Sequence, residues 1–194
     1  MKCKAGIAWE CEGFMNRYIE DCGVSCEPVT PQMLGAPFFK GNLVALIIPT
    51  GFGNKLYSNL LPALRASSSR MKRFVEKGGK VISFGAMTAD KGAYDWLPFD
   101  CEYSHEYFSA PILIKQNTLF SGILDDFETS NIECDGYFKI SESDFEVVAE
   151  TDDKRPIMIA KKYGEGYYVI TSIHELPSKL FIKNFCTGEV EILF

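Results

Sequence analysis

The segment LVALIIPTGFG, residues 43–53, contains the clearest strand of this chain and the loop that follows it. Every residue from Leu43 to Ile48 is apolar. A strand that is apolar on both faces belongs in the middle of a parallel sheet that is covered by helices on each side. Pro49, Gly51 and Gly53 then end the strand, because proline and glycine favour turns. This segment therefore predicts an α/β fold.

Strand and helix patterns alternate around this segment. Short apolar or β-type runs predict three further strands, at Ala5–Trp9, Ser25–Val29 and Val81–Phe84. A helix whose apolar face includes Phe14 and Tyr18 is predicted to end at Gly23. A second helix is predicted to follow capping hydroxyls at Ser67–Ser69 and to end at Gly78. Such alternation implies a parallel sheet with right-handed crossovers.

The second half of the chain has a different pattern. Five short strands with little helix between them are predicted, at Pro111–Lys115, Tyr137–Ile140, Phe145–Ala149, Ile157–Lys161 and Tyr167–Thr171. Gly164 and Gly166 favour a hairpin between the last two, and Ser178–Phe185 favours a short closing helix. We therefore expect an additional, largely antiparallel element on one flank of a single α/β domain.

Composition and charge exclude several classes of function. The 194 residues carry a net charge of −6 without clustered Lys and Arg, which disfavours nucleic acid and anionic membranes as partners. The apolar run Leu43–Pro49 is too short to cross a bilayer, and no signal peptide is evident, so we expect a cytoplasmic protein. The 7 cysteines are scattered and form no CxxC pair, which disfavours disulfides and structural zinc.

The candidate site lies where the parallel strands end. Ligands of open parallel sheets bind outside the carboxyl ends of the strands, so the loops that follow the predicted strands are the relevant ones. These loops and the late segment TSIHE supply the candidate ligand-binding residues Glu10, Thr50, Gly51, Gly53, Gly85 and His174. His174 is also the candidate catalytic residue, because histidine titrates near neutral pH. No metal site and no cofactor are predicted.

Three motifs in this order resemble those of class I glutamine amidotransferase-like proteins, especially the domain at the N-terminus of biotin–protein ligases. They are the loop PTGFG (49–53), the segment FVEKGGKVISFGAM (74–87) and the segment KYGEGYYVITSIHE (162–175). The resemblance implies a three-layer α/β/α, flavodoxin-like sandwich with a mostly parallel central sheet. It also implies a glycine loop that supplies oxyanion amides, a cysteine nucleophile on a strand-to-helix elbow, and a late catalytic histidine.

The chain departs from this family pattern at the nucleophile. The elbow cysteine corresponds to Gly85, and glycine has no side chain with which to attack a substrate. The family's His-Pro-Glu element is His174-Glu175-Leu176, which keeps the histidine and moves the acid by one position. We therefore expect no glutaminase activity by the cysteine route. Gly85 either leaves room for a ligand or tolerates a strained backbone at the elbow.

Each remaining candidate has a functional and a structural interpretation. The Gly51–Gly53 loop either presents amides to an anion or is a plain turn. Cys11 is either a relocated thiol or an idle one, since Glu10 and Glu12 disfavour its thiolate. The acidic stretch 100–106 could hold a divalent cation, but a solvated loop is the simpler interpretation. His174 is a general base, a ligand-binding donor or a hydrogen-bonded relic.

Three functions remain open. The first is a non-catalytic amidotransferase-like protein that binds a small molecule or a partner at the degenerate pocket. The second is a hydrolase with other machinery, metal-assisted or not, that uses Glu10, Glu12 and His174 at the same rim. The third is a role in assembly, homo-oligomer formation included, that uses the aromatic residues between Tyr94 and Phe108 as the contact surface.

Overall fold

The computed structural model describes residues 2–140, 145–189 and 192–194. Its strands are β1 (Lys2–Ala8), β2 (Ser25–Val29), β3 (Asn42–Leu43), β4 (Ala45–Ile48), β5 (Lys80–Ser83), β6 (Glu102–Ala110), β7 (Ile112–Ile114), β8 (Ile132–Lys139), β9 (Glu146–Thr151), β10 (Pro156–Tyr163), β11 (Gly166–Thr171), β12 (Thr187–Gly188) and β13 (Ile192–Leu193). Its helices are α1 (Phe14–Asp21), α2 (Pro31–Gly35), α3 (Leu60–Glu76) and α4 (Lys179–Phe185), with a 3₁₀ turn at Ser121–Leu124.

The parallel strands predicted from the sequence form the middle of a nine-stranded sheet. Strands β2, β1, β4, β5 and β11 lie side by side and parallel, and the register places Ile7 beside Ile47 and Ile47 beside Ile82. Strands β10, β9 and β7 extend one edge in antiparallel fashion, and β12 pairs with β1. The mostly parallel central sheet and its antiparallel extension in the second half are both confirmed.

Helices cover both faces of this sheet, because the side chains of each strand alternate between two hydrophobic clusters. Ile47 and Ile82 pack with α1, α4 and the 3₁₀ turn on one face. Leu46 and Val81 pack with α2 and α3 on the other. The fold is therefore the predicted three-layer α/β/α sandwich of flavodoxin-like type. Within the part of the chain that the structure describes, no helix is long and apolar enough to span a membrane.

Two local predictions are wrong. Helix α3 is continuous from Leu60, so Ser67–Ser69 lie inside it and not at its start. Ser67 is buried and its hydroxyl donates to the carbonyl of Leu64, a back-bond that lets serine occupy a helix interior. Phe14, assigned to the apolar face of α1, is 71% exposed because it is the first residue of that helix and extends past the core.

The sequence patterns predicted only the end of β8, at Tyr137–Ile140, and missed β6, with which it forms a β-ribbon. Strand β6 pairs with β8 in a separate two-stranded antiparallel sheet. Strand β8 is joined to the end of β11 by a bridge between Cys134 and Ile173, so the ribbon packs against the carboxyl edge of the main sheet. The acidic stretch is part of this ribbon, since Glu102 lies in β6 and pairs with Lys139 at 2.8 Å. The hairpin at Gly164 is confirmed, with a positive φ of 60° at that glycine.

Candidate functional site

The loops that follow β4 and β5 meet at the carboxyl edge of the sheet, as predicted. The amide of Gly51 donates to the carbonyl of Gly85 at 2.7 Å, and the amide of Gly53 donates to the carbonyl of Ala86 at 3.0 Å. These two hydrogen bonds join the loops directly. They also occupy the two glycine amides, so the anion-binding interpretation of this loop has no free donor at either position.

Backbone conformation at Gly51 and lack of space at Gly53 explain why both positions are glycine. Gly51 has a φ of +93°, in the left-handed region that side chains rarely adopt. A Cβ on Gly53 would lie 2.7 Å from Thr88 Cγ2 and 2.9 Å from the carbonyl oxygen of Ala86. The PTGFG loop is therefore fitted closely against the loop after β5.

Gly85 is required for a reason that neither interpretation of the sequence included. A Cβ built on Gly85 would overlap both carboxylate oxygens of Asp135. The backbone at Gly85 is outside the left-handed region, so the strained-backbone interpretation is wrong. The room left by glycine is filled by a side chain of the protein itself. Moreover, residues 85–100 contain no helix, so the strand-to-helix elbow implied by the family resemblance is absent here.

Asp135 is held in place at both its side chain and its backbone. Its Oδ2 accepts the amide of Met87 at 2.9 Å, and Met87 adopts a positive φ of 52°. Its own amide donates to the carbonyl of Ser172 at 3.0 Å. Its carbonyl accepts the Tyr103 hydroxyl at 2.7 Å and His105 Nδ1–H at 2.8 Å, because a carbonyl can only accept. These hydrogen bonds fix the position of the Asp135 carboxylate in the site.

The electrostatic environment of Asp135 is unusual for a carboxylate. Its side chain is fully buried, and this burial raises its pKa above the ordinary value. The Met87 amide, the Tyr103 hydroxyl and the nearby His174 and His105 act in the opposite direction. Oδ1 makes no hydrogen bond within the described residues. Burial of the ionised carboxylate remains costly despite the hydrogen bond from Met87, so the protonated acid is favoured over a wider pH range than in water.

His174 is close enough to this carboxylate to lower its pKa. Its amide donates to the carbonyl of Glu133 at 2.9 Å, and the edge of the Tyr107 ring packs against its imidazole with centroids 5.5 Å apart. Its Nε2 atom is buried and has no hydrogen-bond partner among the described residues. Glu175 turns away from it, since Oε1 of Glu175 accepts the amide of Glu133 at 3.0 Å. The structure thus brings Gly51, Gly53, Gly85 and His174 to one edge of the sheet.

The other candidates have structural surroundings of their own. Oε1 of Glu10 accepts the amide of Asn59, the residue that precedes α3, so Glu10 caps that helix. Thr50 is half-buried after β4. Cys11 is exposed. The described residues contain no group of three or more His, Cys, Asp or Glu side chains placed to hold a metal ion.

A groove of about 640 Å³ opens next to these loops. Gly53, Ser58, Met87, Asp90 and His105 are among the residues that line it. Arg65, also in the wall, is fixed by ion pairs with Asp95 at 2.7 Å and Asp90 at 3.5 Å. The wall of the groove therefore contains positively and negatively charged side chains, which can orient a small polar molecule.

The sequence patterns missed Asp135 and Arg65, and they included Tyr103 only as one of the aromatic residues between Tyr94 and Phe108. One signal was present for the first: Asp135 lies within strand β8, beside Gly136, where an acidic residue is disfavoured. That signal marks Asp135 as unusual, but it does not predict that Asp135 contacts Gly85. The two residues are 50 positions apart in the sequence, and the β6–β8 ribbon brings them together.

Comparison with known protein families gives no match for this sequence, and no curated protein matches it either. Solved structures do share the fold. A protein assigned as a GMP synthase subunit, from Thermoplasma acidophilum, is 13% identical, with a TM-score of 0.63 over 96% of this chain and 93% of that chain. A cytoplasmic protein from Salmonella typhimurium LT2 is 14% identical, with a TM-score of 0.53 over 89% and 87%.

The same fold also forms part of larger enzymes. A β-galactosidase from Bacillus circulans sp. alkalophilus is 13% identical, with a TM-score of 0.51, and the match covers 95% of this chain but 30% of that one. At these identities the comparisons establish that the architecture is shared with these proteins. They do not transfer an activity.

Proposed function

We propose that residues 1–194 form one class I glutamine amidotransferase-like domain that does not hydrolyse glutamine and that binds a small molecule at the strand-end groove. The observation that carries this proposal is the overlap between the Asp135 carboxylate and any side chain at position 85. A cysteine nucleophile would need its Cβ and Sγ in that space.

The two joined loops support the same conclusion. Acyl transfer to a thiol generates an oxyanion, which free backbone amides must stabilise. The amides of Gly51 and Gly53 are engaged by the carbonyls of Gly85 and Ala86, so they cannot supply that stabilisation without separation of the loops. Both the nucleophile and these oxyanion donors are therefore unavailable to the family's reaction.

The groove supports a ligand-binding role. It lies at the end of the sheet where open α/β folds bind ligands, and its walls place Arg65, Asp90 and His105 near apolar surface from Leu61 and Met87. We infer a small polar ligand that carries both donors and acceptors. The buried thiols of Cys22 and Cys134 form no disulfide, which supports the proposed location in a reducing cytoplasm.

Glutamine turnover tests the loss of activity. Ammonia release from L-glutamine should stay at the buffer rate for the native protein and for Gly85→Cys, because the new thiol meets Asp135. Gly85→Cys/Asp135→Ala is the matched variant in which the obstruction is removed, and its thiol should react with iodoacetamide faster than the thiol of Gly85→Cys. Glutamine turnover by the native protein would contradict the proposal.

Fragment binding tests the groove. A set of small polar fragments, screened by two-dimensional NMR against ¹⁵N-labelled protein, should shift the amides of Gly53, Met87 and Thr88. Ala89→Trp should abolish these shifts, because Ala89 is exposed and lines the groove. Ala66→Trp, on the exposed side of α3 outside the groove, is the control. Shifts that persist in Ala89→Trp, or that never cluster there, would contradict binding at this place.

A hydrolase with other machinery is the second candidate. It is favoured by two buried polar atoms that have no hydrogen-bond partner among the described residues, Asp135 Oδ1 and His174 Nε2, since such atoms are often functional. Its metal-assisted form has no ligand cluster among the described residues. Turnover of generic esters or amides that is lost in His174→Ala would favour this candidate over a binding protein.

A further inference from the structure

A second cavity lies at the other end of the parallel strands. It has a volume of about 300 Å³, near the lower end of the range for small-molecule pockets, and we call it the α4 pocket. Lys80 and Tyr167 line it, at the amino ends of β5 and β11, whereas Gly85 follows the carboxyl end of β5. The α4 pocket is therefore separate from the groove.

Aromatic rings form the walls of the α4 pocket. The ring of Phe120 packs edge-on against Tyr167 at 5.3 Å and against Phe185 at 6.1 Å, and Phe181 stacks on Phe185 at 5.8 Å. Phe120, Phe181 and Phe185 are buried in the core cluster on this face. Rings that are fixed by core packing hold the pocket open without a ligand, so little ordering cost accompanies binding.

Two exposed leucines flank the opening. Leu119 is 74% exposed and Leu180 is 62% exposed, and both line the pocket. Leu180 lies in α4 and Leu119 precedes the 3₁₀ turn, so they approach the opening from different elements. A molecule that enters between them covers their apolar surface, which favours binding by about 25 cal/mol per Å² removed from water.

The charged groups of the pocket indicate the charge of its ligand. The Lys80 ammonium donates to the carbonyls of Phe185 at 2.7 Å and Thr187 at 2.9 Å and lies 5.6 Å from the centroid of the Phe185 ring. The carboxylate of Asp125 lines the same pocket with the opposite charge. One charge of each sign gives no preference for an ion, whereas the aromatic walls favour a flat apolar molecule.

We propose that the α4 pocket is a binding site for a small, uncharged, planar aromatic molecule. Indole is the probe for the test. In a two-dimensional NMR titration of the full chain, indole should produce saturable shifts at the amides of Phe120, Tyr167 and Leu180. Leu180→Asp should weaken the apparent affinity at least tenfold, because a carboxylate at the opening must be desolvated when the ligand binds.

The control variant is Leu56→Asp, which makes the same substitution at a leucine that is 90% exposed and outside both cavities. Its indole affinity should equal that of the native protein. Shifts confined to other surfaces, equal affinity in Leu180→Asp, or no saturable shift up to the solubility limit of indole would overturn the proposal. The result is independent of glutamine hydrolysis and of the groove.

Discussion

At the scale of single residues, a side chain at position 85 requires the Asp135 carboxylate to move. Gly85→Ala places a methyl group on the Asp135 carboxylate, and overpacking of a buried site costs about 2 kcal/mol or more of the free energy of unfolding. Urea denaturation measures this loss. Gly35→Ala is the control, since a Cβ there meets nothing within 4 Å. Adding Asp135→Ala to Gly85→Ala should recover part of the loss, and strict additivity of the two substitutions would contradict the contact.

The buried Asp135 carboxyl gives the stability an unusual pH dependence. Its pKa is raised in the folded state, mainly by burial, so the folded protein keeps this proton at pH values where the unfolded chain, with a pKa of about 3.9, has lost it. The contribution of the protonated acid is therefore complete below pH 4 and declines as pH rises through the folded-state pKa. Most carboxylates have a lowered pKa in the folded protein, and their contribution to stability is instead lost as the pH falls.

Asp135→Asn isolates this contribution. The amide keeps an oxygen for the Met87 amide but does not titrate, so the variant should gain stability relative to the native protein as pH rises from 4 to 8. Urea unfolding of both proteins across this range measures the difference. A difference that does not change with pH would show that Asp135 does not titrate abnormally.

At the scale of elements, helix α3 depends on a residue first assigned to the ligand site. Glu10 accepts the Asn59 amide at the start of α3, where a carboxylate also interacts favourably with the helix dipole. Glu10→Ala should cost about 1 kcal/mol of unfolding free energy, and Glu12→Ala, at an exposed neighbour, should cost almost nothing. Equal effects of the two substitutions in thermal or urea unfolding would refute the capping role.

Local pattern was enough to predict the elements of the parallel core. The continuous apolar run around Leu46 predicts a buried strand, and Gly78 predicts the end of a helix, from the nearby sequence alone. Both predictions hold because the central strands are buried on both faces of the sheet. The same reasoning brought Gly85 and His174 to one edge of the sheet, because the carboxyl ends of parallel strands meet there.

The same reasoning could not predict the pairing of strands β6 and β8, which depends on contacts between residues far apart in the sequence. Strand β6 is exposed at His105, Glu106 and Tyr107 and has no continuous alternation, because it packs as a ribbon and not within the main sheet. Without β6 and β8, nothing in the sequence places Asp135 on Gly85. The glycine at position 85 was therefore evident in the sequence, but the side chain that packs against it was not.

At the scale of the whole molecule, one sheet separates the two hydrophobic clusters, and strands such as β4 contribute side chains to both. Loss of either cluster should therefore remove the support of the other, so we predict a single cooperative unfolding transition for residues 1–194. Urea transitions followed by far-ultraviolet circular dichroism and by tryptophan fluorescence should coincide, with the buried Trp96 contributing to the second signal. Separated midpoints would instead indicate two independently folding units.

The most direct test of the central claim is the intact mass of the protein after exposure to 6-diazo-5-oxo-L-norleucine, a glutamine analogue that alkylates amidotransferase nucleophiles. The mass should remain unchanged, because Asp135 occupies the space from which a nucleophile at position 85 would react. One adduct per chain that L-glutamine prevents from forming would contradict the account, and peptide mapping would identify the residue that carries it.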